Sequence, residues 1–155
     1  MSLSKTFGQN SSKFTRTFYD CSKLEIIPEI STENATDMSN MIGDECQRLK
    51  RIEGISIKSI KSMSYGTVFE WDDIPSLRYF LCKDIGTQST CTKVEFTYGG
   101  LSNWGVADES SPDAKQSLID SLITYSFDRI SAGYSTCTIK LSNNTKALLT
   151  EDEIA

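Results

Sequence analysis

The sequence contains no histidine. That absence removes Ser-His-Asp and Cys-His nucleophile pairs, histidine metal ligands and histidine pH switching together. Its five cysteines (Cys21, Cys46, Cys82, Cys91, Cys137) include no CxxC pair and are odd in number. A zinc site is therefore not expected, and a complete set of intrachain disulfides is excluded. Basic clusters are missing too: 16 Lys and Arg stand against 21 Asp and Glu, for a net charge of −5. Nucleic acid and anionic membranes are thus not expected as main partners. No apolar run approaches the ~20 residues of a membrane-spanning helix. Met1–Gly8 has no apolar segment of the kind a signal peptide needs. The expectation is a chain that stays where it is made, or a piece of a longer one.

What the sequence has is an internal repeat. Cys21, Leu24, Ile27 and Ile30 fall on Cys46, Leu49, Ile52 and Ile55 after a shift of 25 residues. The same shift carries Ala35 to Ile60 and Met38 to Met63. A repeated apolar skeleton with changing polar fillers is the mark of stacked repeats, in which each unit buries its face on the next. Cys21 and Cys46 occupy equivalent positions, so they read as small buried side chains rather than bridge partners. With 155 residues, 38% of them hydrophobic, the chain is long enough for one substantial core.

In order, residues 1–17 read as the tail of an earlier repeat, with Phe14 standing where Met38 stands in the next. Full repeats cover about 18–42 and 43–67. A looser third runs to 98, with Ile74, Leu77 and Phe80 paralleling Cys46, Leu49 and Ile52 at a spacing of 28. The three-residue spacing of apolar positions fits neither a clean amphipathic helix nor an alternating strand. Pro28 excludes a helix interior there. Thr36–Met41 is expected to make a short helical turn with Met38 and Met41 inward. Thr92–Tyr98 alternates as a strand.

From Gly99 the period is lost. Ser111-Pro112-Asp113 opens a helix, with serine as N-cap, proline at the first position and a carboxylate in the first turn. The helix is expected to reach about Arg129, with Leu118, Ile119, Leu122, Ile123 and Phe127 as its apolar stripe. Cys137, Ile139 and Leu141 then alternate as a strand, and Thr150–Glu153 forms a capping box for another helix. That helix begins two residues before the sequence stops, which reads as truncation of a longer chain. Residues 99–155 are therefore a helix–strand capping unit following a repeat array over 1–98.

Phe18-Tyr-Asp-Cys21-Ser-Lys-Leu24 and Thr36-Asp-Met38-Ser-Asn-Met41 resemble the phrase of BspA-type bacterial surface leucine-rich repeats, in their mycoplasma-lipoprotein-like variant. The resemblance covers about residues 10–85, and residues 115–155 are similar to the unit that closes such arrays. Ile42 stands where that family has phenylalanine, and Ser56–Ile60 replaces its usual polar segment. The resemblance implies an α/β fold: a short leucine-rich-repeat solenoid of about three irregular repeats. Such repeats also occur in phage structural proteins. A virion or bacterial-surface location is then implied, or a cytoplasmic one if the chain is complete and not viral.

No catalytic residues, cofactor or metal site can be read from the residues. The carboxylates at Asp44-Glu45, Glu70–Asp73 and Glu151–Glu153 are better explained as solvated faces than as acid–base pairs or calcium ligands. Tyr65, Phe69 and Trp71, in the insert that loosens the third repeat, are the candidate contact surface. Filling the gap beside an irregular repeat is the competing account of these aromatics. The expected function is a non-enzymatic binding or structural module of a virion or bacterial surface. Its partners would be a protein, a cell-surface glycan or neighbouring subunits, with self-association left open. The alternative is a cytoplasmic protein–protein interaction module.

Overall fold

The computed structural model describes residues 3–4, 6–43, 45–59, 62–63, 74, 76–84, 93–96, 112–131, 133, 138–141 and 146–154. Six strands and two helical segments follow one another. They are β1 (Ile26–Ile27), β2 (Arg51–Ser56), β3 (Ser62–Met63), β4 (Tyr79–Lys83), β5 (Lys93–Phe96), α1 (Pro112–Ser131), β6 (Thr138–Leu141) and α2 (Glu151–Ile154). They form two three-stranded sheets, ordered β1-β2-β4 and β3-β5-β6. Every pairing is parallel. Parallel neighbours cannot be joined by a tight hairpin, so each strand is separated from its partner by a long pass of chain.

In the first sheet Ile27 pairs with Ile52 and Ile52 with Phe80, offsets of 25 and 28 residues. These are the offsets at which the sequence repeats. All three side chains are fully buried and make one continuous row of the core. The turns that lead into the strands repeat as well. Leu24 N–H bonds to the Cys21 carbonyl at 2.9 Å, Leu49 N–H to Cys46 at 3.0 Å and Leu77 N–H to Ile74 at 3.0 Å.

That turn accounts for half of the three-residue spacing, because it aims both of its apolar ends inward. A bulge accounts for the other half. Ile52 and Ile55 of β2 are matched by Phe80 and Cys82 of β4, three residues against two. The extra residue in β2 restores the inward direction at Ile55, which is buried, whereas β4 keeps strict alternation.

The N-terminal segment joins the stack through bridges from Lys13 to Asp37 and from Phe18 to Ile42. Phe14 and Phe18 N–H groups bond to the Asp37 and Met41 carbonyls, each at 2.8 Å. Phe14 and Met38 are both buried side by side in this register. Thr36–Met41 forms a single turn rather than a helix. Met41 N–H reaches the Met38 carbonyl at 3.0 Å, and Asn40 takes a left-handed φ of 52°. Asparagine tolerates that conformation better than most residues. Both methionines are buried, so the inward placement does not require a helix.

α1 packs along β4, and its buried face differs from the apolar stripe. Ala114, Ser117, Leu118 and Ser121 are buried, whereas Ile119 and Leu122 are half-buried. The side chains of Ile123 and Phe127 lie outside the described residues. Small side chains let the helix approach the strand edge, where Cys82 N–H donates to Ser121 Oγ at 3.0 Å. Ser117 and Ser121 hydroxyls donate to carbonyls one turn back, at 2.9 and 2.6 Å, so neither is buried unsatisfied. Replacing Ser121 by alanine leaves the Cys82 amide without that partner. It is expected to lower unfolding free energy by about 1–3 kcal/mol in urea titration.

Gly43 lies against the neighbouring pass. A Cβ built there would sit 2.4 Å from the Tyr19 carbonyl oxygen, a backbone atom that cannot swing aside. Gly43→Ala is expected to cost about 1–3 kcal/mol through overpacking, read from the same titration.

Candidate binding face

Residues that precede the buried row point the other way, because strand side chains alternate. Ile26 pairs with Arg51 and Arg51 with Tyr79, which makes an outward row beside Ile27, Ile52 and Phe80. Glu53 extends the row on β2 and is exposed, and Leu81 and Lys83 extend it on β4 and are half-buried.

Arg51 is the hub of this face. Its guanidinium lies 4.2 Å from the centroid of the Tyr79 ring, and its Nη1 donates to Asp113 Oδ2 of α1 at 2.9 Å. Glu53 lies 3.8 Å from its Nε. The Tyr79 hydroxyl donates to Asp120 Oδ2 at 3.3 Å, and Gln116 Nε2 donates to Asp120 Oδ1 at 2.7 Å. Burial, and then the negative charge of Asp120, raise the Tyr79 phenol above its ordinary value. The two side chains thus clasp α1 to the sheet while their outer surfaces remain part of the face.

Around them the charges alternate in sign. Glu25 pairs with Lys50 at 3.1 Å and with Arg48, and Glu29 pairs with Lys83. Such exposed pairs add little stability. They do give the face a fixed pattern of both signs, which favours a partner with matched charges over a polyanion. The hydrogen bond and charge of Lys50, then the charge of Arg48, hold the Glu25 carboxyl below its ordinary value of 4.5. Asp37 is held below 3.8, first by the Ser39 hydroxyl.

Beside β1 the face falls into an open depression lined by Asp20–Ile26. Cys21 and Leu24 are half-buried there, and Ile26 is 47% exposed. Cys21, Cys46 and Cys82 are free thiols. The Cys46 thiol donates to the Phe18 carbonyl at 2.7 Å and is raised by burial, as is that of Cys82. A raised thiol stays protonated at neutral pH and is a poor nucleophile. Among the described residues no cluster of three or more Cys, Asp and Glu could hold a metal ion, and no helix is long and apolar enough to cross a membrane.

Tyr65, Phe69 and Trp71 lie outside the described residues, as do Asp44 and the Glu70–Asp73 cluster. Glu45, Glu151 and Asp152 are exposed. The outward row of Ile26, Arg51 and Tyr79 went unnoticed in the residue pattern, yet it obeys the same shifts. Each member stands immediately before a repeated inward residue. No protein family, no curated protein and no solved structure matches the chain.

Two outcomes follow for solution measurements. Iodoacetamide at pH 8 is expected to label Cys21 at least about tenfold faster than Cys46 or Cys82 in the folded protein, read by peptide mass spectrometry. With no histidine to titrate, the thermal midpoint is expected to stay level from about pH 5.5 to 8. Carboxyls lowered by folding, such as Glu25 and Asp37, stabilise above their unfolded values of 4.5 and 3.8. Their contribution disappears as pH falls through the lower folded values, so the midpoint should drop below about pH 4.

Proposed function

We propose that this chain is a non-enzymatic binding and structural module. In this proposal it is a short leucine-rich-repeat solenoid of BspA type that presents the outer face of β1, β2 and β4 to a macromolecule. The observation that carries the proposal is the row Ile26–Arg51–Tyr79, held in register by strands 25 and 28 residues apart. Stacked parallel strands make a stiff surface whose side chains keep their spacing, and repeat arrays use such surfaces for extended contacts. A stacked Arg–Tyr pair amid mixed charges suits a protein or the polar groups of a glycan.

The Thr36–Met41 phrase supports the setting, a phage virion or a bacterial surface, where the face would engage a host component or a neighbouring subunit. A second reading, an interaction module of the cytoplasm, draws on the free thiols Cys21, Cys46 and Cys82, which suit a reducing compartment.

Purified protein on a biosensor surface, exposed to intact bacteria, virion proteins and cytosolic extract, tests the proposal. Saturable binding to cells or virion proteins is expected. The double charge reversal Lys50→Glu with Glu53→Lys should weaken it by about tenfold, while the thermal midpoint moves by no more than about 2 °C. Absence of binding to all three overturns the proposal, and capture from cytosol alone selects the second reading.

A further inference from the structure

The two ends of the first sheet are finished differently. At one end α1 covers the outer edge of β4, and Ser121 takes up the Cys82 amide. At the other end β1 is the edge strand, and the covering is partial. The segment 7–18 lies over 31–42, bonded through Ser31 N–H to Phe7 at 3.2 Å, Thr36 N–H to Ser12 at 2.9 Å, and the Phe14 and Phe18 amides. Over Asp20–Ile27 no described residue stacks. The end is therefore a step: a raised segment one strand high beside a bare ledge.

What a neighbouring pass would bury on that ledge can be read one repeat later. Cys46, Leu49 and Ile52, which lie beneath Cys21, Leu24 and Ile27, are fully buried. Cys21 and Leu24 themselves are half-buried, and Ile26 is the one exposed large apolar side chain among the described residues. Leu3 and Phe7, on the raised segment, are also incompletely covered.

We infer that two copies of the chain associate through this end about a two-fold axis, the raised segment of each resting on the ledge of the other. A step of one strand height, about 4.8 Å, is complementary to itself under such an axis. The charges permit it. The chain carries a net charge of −5, but exposed Lys13, Arg16 and Lys23 stand at this end against Asp20 and Glu25, so like ends do not repel. Covering of the β4 edge by α1 closes that route to further growth, so association through the sheet edges stops at two. The inference rests on the stacking of the described strands and is independent of the ligand proposed above; dimer formation and cell binding can fail separately.

Sedimentation velocity on the full chain from about 1 to 500 μM tests it. Wild-type protein is expected to pass from 17.3 kDa to twice that mass. Ile26→Lys, at an exposed position, should raise the midpoint concentration at least about tenfold, and Leu24→Glu should do so more strongly. Should circular dichroism show Leu24→Glu unfolded, Ile26→Lys alone decides. A wild-type monomer throughout, growth into larger species, or a dimer whose midpoint Ile26→Lys leaves unchanged would overturn the inference.

Discussion

Everything in the first sheet depends on parallel backbone pairing between residues 25 and 28 positions apart. A strand as short as β1, two residues long, has no stability of its own. It exists because the Glu25 carbonyl accepts the Lys50 amide at 2.8 Å and because Ile27 is sealed beneath Ile52. The hydrogen bonds set the register, and the buried row of Ile27, Ile52 and Phe80 penalises any slip, since one residue would turn every inward side chain to water. Bonds such as Thr32 Oγ1 with the Ser56 amide and carbonyl, at 2.7 and 2.9 Å, hold the same register beyond the strands.

A stack held this way has a problem at its ends, where backbone groups and apolar side chains lose a neighbour. α1 solves it at β4 with an unusual choice of residues. Leucines on the contacting face would hold the helix away from the strand, whereas Ala114, Ser117 and Ser121 bring it close enough for a hydroxyl to reach the Cys82 amide. Arg51 and Tyr79 then fasten its outer side through Asp113 and Asp120. The clasp and the outward face are made of the same side chains, which couples the face to the seating of the helix.

Stability and recognition are otherwise separated. The buried row is apolar and carries no chemistry, while the ion pairs of Glu25, Glu29, Lys50 and Lys83 are exposed and contribute pattern more than free energy. Residues can change on the outer face without disturbing the inner one, because each strand turns successive side chains in opposite directions.

The register of the first sheet was legible in the sequence, since Cys21, Leu24 and Ile27 return 25 residues later and the buried row returns again at Phe80. So were α1, marked by Ser111-Pro112-Asp113, and the alternating strands β5 and β6. Repetition and capping are local, one-dimensional facts that a string of residues can hold. The tertiary structure decided the rest. The turn at Cys46–Leu49 and the bulge between Ile52 and Ile55 together give apolar residues every third position, and the two cannot be separated until the partner strand supplies a count of its own. Burial of Ser117 and Ser121 in place of an apolar stripe depends on how near α1 comes to β4, a distance fixed by packing. Likewise Arg51, Tyr79 and Asp113 meet only because a helix 62 residues further on lies across that strand, and no spacing along the chain encodes such a contact.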